Sequence, residues 1–542
     1  MHLEEPTSAP GHGDRPVHPR GGTRSPVLAT HGMVATSQPL ASSAALRVLE
    51  EGGNAVDAAI AAAAVLNVVE PMMTGIGGDM FALVFMQADG RPVGLNGSGW
   101  AGSRAAAGHL RGRADQLDGI QAVTVPGAVA GWFLLHERYG QLPMSRLLEP
   151  AIAYAETGFP VSAVVAAGWR QAEKALRRDP GASRTYLIDG RAPRHGEMFR
   201  SPDLARSLGL LEREGRDAFY KGGLAKRIVA TSDRLGGFLT LGDFAGFEAR
   251  WVDPVSTTYR GYEVCELPPN TQGIVVLEML NILEGFDLRA MGHNSADYLH
   301  VLVEAKRLAF EDRNEFIADP EAVRLPVGRL VSKEYAAGRR ALIDRARTTP
   351  GLQAGTPLES DTVCLTVVDG RRNAVSFINS LFFGFGSGIV VDGTGIALHN
   401  RGSGFSLVPG HRNSLGPRKR PFHTLIPGMV LSGGRPWFSF GVMGGDMQAQ
   451  GHVQVLANLI DFGMDPQHAG EAPRMRHFDG LGVAMESAIG SGVRRELAGR
   501  GHAILAEAPS GFGGYQGILI DPDSGVLTGA SDPRKDGLAI GW

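Results

Sequence analysis

Thr362 heads the stretch Asp361-Thr362-Val363-Cys364-Leu365-Thr366-Val367-Val368-Asp369, and it is the residue with the most chemistry to offer. Behind it runs a β-branched, apolar series of the kind that fills buried strands. Ahead of it, Thr348 to Ser360 is polar, holds two prolines and two glycines, and shows no period. A threonine at such a seam can attack the carbonyl before it, split the chain after Asp361 and emerge as a new N-terminus. Its α-amino group, with a reference pKa of about 7.7–8.0, then serves as base for its own hydroxyl. The alternative is a threonine that merely begins a strand.

Asp369-Gly370-Arg371-Arg372-Asn373 is a polar turn, and Ala374 to Ser380 resumes strand character, so the two runs predict a hairpin. With Val368 opposite Ala374, the antiparallel register sets Thr362 opposite Ser380. Directly opposed side chains lie roughly 5 Å apart at Cβ, close enough for one hydroxyl to orient the other. A one-residue slip would break that pairing. Further on, Gly444 and Gly445 follow the strand candidate Trp437 to Val442. Two successive glycines let backbone N–H groups approach a developing oxyanion closely, although an ordinary glycine turn reads the same way.

The elements that must position these residues follow a layered pattern. Ser42 to Glu50 predicts a helix ended by Gly52-Gly53. Asn54 caps a second, Ala-rich helix ending at Pro71, with Asp57 completing an acidic capping box. The small side chains of that helix would let it lie closely on a sheet. Phe81 to Met86 predicts a strand, 297–318 a helix, and Gly451 to Phe462 another helix after the glycine pair.

Composition bounds the function. Hydrophobic residues make up 43% of 542 residues, enough for a large core, and no linker divides residues 30–542. Glycine, at 75 residues, runs at about twice its usual share and implies many tight turns. A net charge of −3 without a basic stripe argues against a nucleic-acid partner; Arg418-Lys419-Arg420 reads as a solvated loop. Residues 1–25 are rich in Pro, Gly, His and charge and predict a disordered tail without the apolar core of a secretory signal. No run of 18 apolar residues would span a bilayer. Two cysteines, Cys265 and Cys364, cannot build a disulfide framework, so a reduced cytoplasmic location is expected. Gly97-Ser98-Gly99-Trp100-Ala101-Gly102 matches a dinucleotide-binding string, but Asp115 and Asp118 lack the preceding strand that fold requires. The scattered histidines predict no catalytic metal, and no cofactor is expected.

Several ordered blocks resemble one family, the γ-glutamyltransferases, which are N-terminal-nucleophile hydrolases made as one precursor. The blocks are Glu51 to Ala59, Glu70-Pro71, Gly75-Ile76-Gly77-Gly78-Asp79, the Thr362 strand, Phe385 to Val390, Met443-Gly444-Gly445-Asp446 and Ser531 to Gly537. The resemblance implies a four-layer αββα sandwich in one catalytic domain, cut between Asp361 and Thr362 into a large subunit (26–361, behind the tail) and a small one (362–542). The two would stay associated, and homo-oligomers of the αβ unit are left open. It assigns Thr362 as nucleophile, Ser380 as its orienting hydroxyl, and Gly444 and Gly445 as the oxyanion hole. His423 and Thr424 stand where the family often has a serine pair.

The substrate residues depart from the pattern. The arginine that holds the α-carboxylate is matched by Ser98, the aspartate for the α-amino group by Gly404, and a substrate-contacting asparagine by Phe382. A zwitterionic glutamyl head would be left without these partners, at a cost of roughly 1–3 kcal/mol per group. Arg401, in the substrate loop His399-Asn400-Arg401-Gly402, can grip a carboxylate bidentately, although a surface arginine is the plain alternative. The expectation is therefore an amidohydrolase for a small acidic acyl group, resembling the acylase and oxamate amidohydrolase branch. A true γ-glutamyl hydrolase or transpeptidase, and an unprocessed binding protein, are the competing readings.

Overall fold

The computed structural model describes residues 10–11, 13–16, 24–106, 116–352, 361–506 and 511–542. The expected disordered tail, apart from the paired strands Pro10–Gly11 and Gly13–Pro16 and residues 24–25, lies outside them, as do residues 353–360 of the seam and Asp115.

Two seven-stranded sheets, antiparallel at every neighbouring pair, form the centre. The first runs Leu538–Gly541, Met33–Thr36, Asp361–Val368, Ala374–Phe382, Asp79–Phe85, Pro92–Gly97, Arg250–Val252. The second runs Val255–Tyr259, Tyr262–Glu266, Gly428–Ser432, Arg435–Met443, Gly514–Ile520, Leu527–Ser531, Val27–Ala29. The sheets pack face to face, Asp361–Val368 lying over Arg435–Met443 and Gly514–Ile520. Inner strands such as Asp79–Phe85, Ala374–Phe382 and Gly514–Ile520 are buried on both faces and read without a polar alternation, whereas edge strands such as Val255–Tyr259 are partly exposed.

Asn54 starts the helix Ala55–Val69 as expected. Its Oδ1 accepts the Val56 and Asp57 N–H groups at 2.9 and 3.0 Å, and Asp57 Oδ2 accepts the Asn54 N–H at 3.0 Å. Every residue of that helix is buried, and it lies on the strands Asp361–Val368 and Ala374–Phe382. Alanine permits the close approach. Helices Gly273–Leu283 and Met447–Ile460 cover the second sheet. The helix after the glycine pair begins at Met447, four residues ahead of the expected start, because Asp446 and the glycines themselves form its entry.

Cross-sheet contacts fix how the strands align. Thr366 Oγ1 and Ser439 Oγ lie 2.6 Å apart, and Ser376 Oγ donates to the Phe440 carbonyl at 2.7 Å. A Cβ added at Gly441 would collide with Cys364 Sγ. Residue 366 thus meets 439 and residue 364 meets 441.

Candidate active site

Thr362 is buried at the head of its strand. The predicted register holds from Val368↔Ala374 to Val363↔Asn379, then slips by one, so that Asp361 faces Phe382. The slip does not separate the hydroxyls: Thr362 Oγ1 donates to Ser380 Oγ at 3.3 Å. Phe382 takes up the irregularity at φ +82, a conformation costly for a bulky residue. Its N–H donates to Ser380 Oγ at 2.8 Å.

Arg401 is not a surface residue. It is 1% exposed, on the 3₁₀ turn Arg401–Gly404. Its Nη2 donates to Ser380 Oγ at 3.3 Å and its Nη1 to Thr424 Oγ1 at 3.0 Å. The guanidinium lies 4.0 Å over the Phe382 ring, and among the described residues its Nε has no hydrogen-bond partner. Burial pushes the guanidinium down to about 9, with Asp79 pulling it back up. Phe382 thus serves as the aromatic wall of a cation rather than as a polar substrate contact.

A hydrogen-bonded path leads from this cation to the glycine pair. The Thr424 carbonyl accepts from Gln272 Nε2 at 2.9 Å, and the same nitrogen reaches the Gly445 carbonyl at 3.2 Å. Gln272 Oε1 in turn accepts from Arg313 Nη1 at 3.1 Å, and Arg313 pairs with Asp446 at 2.7 Å. Gly444 and Gly445 sit at φ +116 and +60, between a strand and a helix N-terminus. Glycine alone adopts both values without strain, and the helix end adds a favourable dipole for an anion.

His423 is bonded to Asp79. Its Nδ1 accepts the Leu425 N–H at 3.3 Å, and its Nε2 therefore donates to Asp79 Oδ2 at 3.2 Å. Burial, then Arg401, drives its pKa down to about 3, so the ring is neutral. His399 Nδ1 faces the same carboxylate oxygen at 3.6 Å.

Ser98 and Gly404 are both closed in by their own neighbours. The Ser98 hydroxyl is buried and donates to Asn96 Oδ1 at 2.7 Å. At Gly404 a Cβ would stand 2.8 Å from the Phe422 carbonyl, leaving no room for an aspartate. The expected solvated loop at Arg418-Lys419-Arg420 is corrected: Arg418 is exposed and Lys419 half-buried, but Arg420 is only 3% exposed. Its Nε donates to the Ser98 carbonyl at 3.1 Å. The glycine-rich Gly97 to Gly102 string ends a strand and opens no helix. Gln272, Arg313, Asp79 and His399 carry no motif of their own, and pattern reading assigned them no role; Asp79 was visible only as the last residue of a glycine block.

The model of the family described as gamma-glutamyltranspeptidase matches residues 41–542. The chain belongs to that family. This gamma-glutamyltranspeptidase-family enzyme is 41% identical over 526 residues to the glutathione hydrolase-like YwrD proenzyme of Bacillus subtilis, covering 95% of this chain and 99% of that one. It is 38% identical over 534 residues to the oxamate amidohydrolase proenzyme of Klebsiella pneumoniae, with 95% and 99% covered. Among solved structures, a cephalosporin acylase from Bacillus halodurans superposes with a TM-score of 0.90 at 43% identity, covering 98% and 99% of the two chains.

Proposed function

We propose that this family member is an autoprocessed amidohydrolase, a four-layer αββα N-terminal-nucleophile enzyme that hydrolyses the amide of a small acidic acyl group. The precursor reaction begins when Thr362 Oγ attacks the Asp361 carbonyl, an N-to-O shift gives an ester, and water cleaves it. Residues 362–542 then begin with a free amine. In turnover that amine takes the hydroxyl proton as Thr362 Oγ attacks the substrate amide. The Gly444–Gly445 turn faces the oxyanion, the protonated amine leaves, and water releases the acid from acyl-Thr362.

The observation that carries the reading is the buried Arg401. It is one hydrogen bond from Ser380, which is itself bonded to Thr362. A carboxylate on that guanidinium lies within a short acyl chain's reach of the attacking oxygen. A crowded Gly404 and an occupied Ser98 leave a glutamyl amino-acid head without its usual partners. The oxamate amidohydrolase relative agrees with a short acidic acyl group. The unpaired, buried Cys265 and Cys364 fit a reduced cytoplasm. A γ-glutamyl hydrolase is the second reading, favoured by the glutathione hydrolase-like relative.

Intact mass and N-terminal sequencing should give fragments 1–361 and 362–542, and a single chain for Thr362→Ala; an uncut chain in both removes the mechanism. Arg401→Lys, which keeps charge but loses the bidentate fork, should cost about tenfold to a hundredfold in kcat/KM on acidic acyl amides. Neutral amides should change little. Equal losses would remove the selective role, and efficient cleavage of γ-glutamyl anilides would favour the second reading.

A further inference from the structure

A guanidinium taken out of water needs a counter-charge, and among the described residues Arg401 has none in contact. Its direct partners are two hydroxyls, Ser380 and Thr424, and the face of Phe382. Among the described residues, the one anionic group that acts on it is Asp79. Asp79 stands at the head of the strand Asp79–Phe85, directly paired with Ser380 in the register. It is fully buried. Its Oδ1 accepts the Gly99 and Gly127 N–H groups, each at 3.2 Å, and its Oδ2 accepts from His423 Nε2 and faces His399 Nδ1. The negative charge is therefore held at a strand head and the positive one on the 3₁₀ turn Arg401–Gly404, linked through Ser380, which pairs with Asp79 in the ladder and accepts from Arg401.

We propose that Asp79 is the positioning counter-charge of Arg401, near enough to keep the guanidinium buried and ionised, yet too far to occupy it. This rests on the reading of Arg401 as the grip for the acyl carboxylate. A direct salt bridge would quench the guanidinium and compete with the substrate anion, whereas no counter-charge at all would leave a bare buried cation at large desolvation cost. With the pair separated, the guanidinium keeps an N–H at Nε that no group among the described residues accepts. The coupling is visible from both ends. Burial would raise the Asp79 carboxyl, but His399, His423 and Arg401 together outweigh it and hold it below the usual range. Arg420 adds a more remote positive charge on the same carboxylate.

The sign of the effect separates this role from a merely structural one. Asp79 repels an incoming carboxylate while it stabilises the empty site. Removing its charge should therefore destabilise the free enzyme and strengthen binding of an acid. For Asp79→Asn we expect a lower Tm without ligand, and malonate binding about tenfold tighter than wild type by calorimetry, the worth of one like charge removed at an effective dielectric of ~20. The malonate-induced rise in Tm should be correspondingly larger, and acetamide, as neutral control, should give no such gain. If Asp79→Asn does not accumulate as folded protein, Asp79→Asn combined with Arg401→Gln should, since the cation that needed it is gone. Malonate binding equal to or weaker than wild type in Asp79→Asn overturns the proposal, as does a double variant no more stable than the single one. Malonate binding that survives Arg401→Gln would instead take down the reading of Arg401, and this inference with it.

Discussion

Gln272 is the residue through which the glycine turn is tied to the rest of the site, and its removal makes a quantitative test. Gln272→Met keeps the length and volume of the side chain but deletes the bonds to the Thr424 and Gly445 carbonyls and the acceptor for Arg313. All three partners are buried, and Arg313 retains Asp446. The Gly445 carbonyl keeps the Gln448 N–H at 3.0 Å, so the main loss is the donor to the buried Thr424 carbonyl, about 1–3 kcal/mol. A loss of about 1–3 kcal/mol in denaturant unfolding is therefore expected. The catalytic effect should fall on kcat, since Gln272 holds a turn that faces charge only in the transition state. Its upper bound is the roughly 10²–10³ typical of deleting an oxyanion donor outright. The assay is paired: equilibrium unfolding of the purified variant, and kcat and KM on one acidic amide. A variant that is destabilised as stated yet keeps wild-type kcat would show that the Gly444–Gly445 turn is held by its own backbone, and the positioning argument would fail.

Two further predictions rest on other parts of the structure. Gly441→Ala places a methyl against Cys364 Sγ between the sheets; it should destabilise by about 1–3 kcal/mol, and Cys364→Ala should restore most of that loss, which additive effects of the two changes by thermal unfolding would contradict. Burial lowers the pKa of His399, His423 (to about 3), His477 and His502 (to about 4). The unfolded chain therefore binds more protons, and their contribution, complete above about pH 6.5, is lost as pH falls, by up to about 1.4 kcal/mol per pH unit per histidine. Unfolding free energy that stays flat from pH 6.5 to 4.5 would refute it.

How much of this was legible in the sequence divides along a physical line. Local signals were read well: the Asn54–Asp57 box, the hairpin through Val363↔Asn379, and the strand before Gly444 all depend on neighbours in the chain. The slip at Thr362 was not, because it arises where Phe382, at φ +82 opposite Asp361, walls Arg401, a tertiary demand with no local trace. Burial of charge was misjudged for the same reason. Arg420 sits in a basic triplet that looks solvated, and only the fold shows that a buried serine carbonyl needs its Nε. Gln272 is a plain glutamine at the mouth of an apolar helix, and its task comes from three segments far away in the chain. Thr424 was noticed through resemblance alone, and its hydroxyl proves to serve Arg401.

The strand order has a consequence for how such a molecule comes apart. In the first sheet Asp361–Val368 lies between Met33–Thr36 and Ala374–Phe382, and in the second Tyr262–Glu266 is laced to Gly428–Ser432. A cut ahead of Thr362 would thus leave two polypeptides woven through both sheets, with neither able to close a sheet alone. The uncut chain can regain its topology by a unimolecular search. The severed pair would have to find one another, so that recovery from unfolding would become concentration-dependent and, at low concentration, effectively absent. The mature protein would then owe its lifetime to the height of its unfolding barrier, having given up the route by which it was assembled.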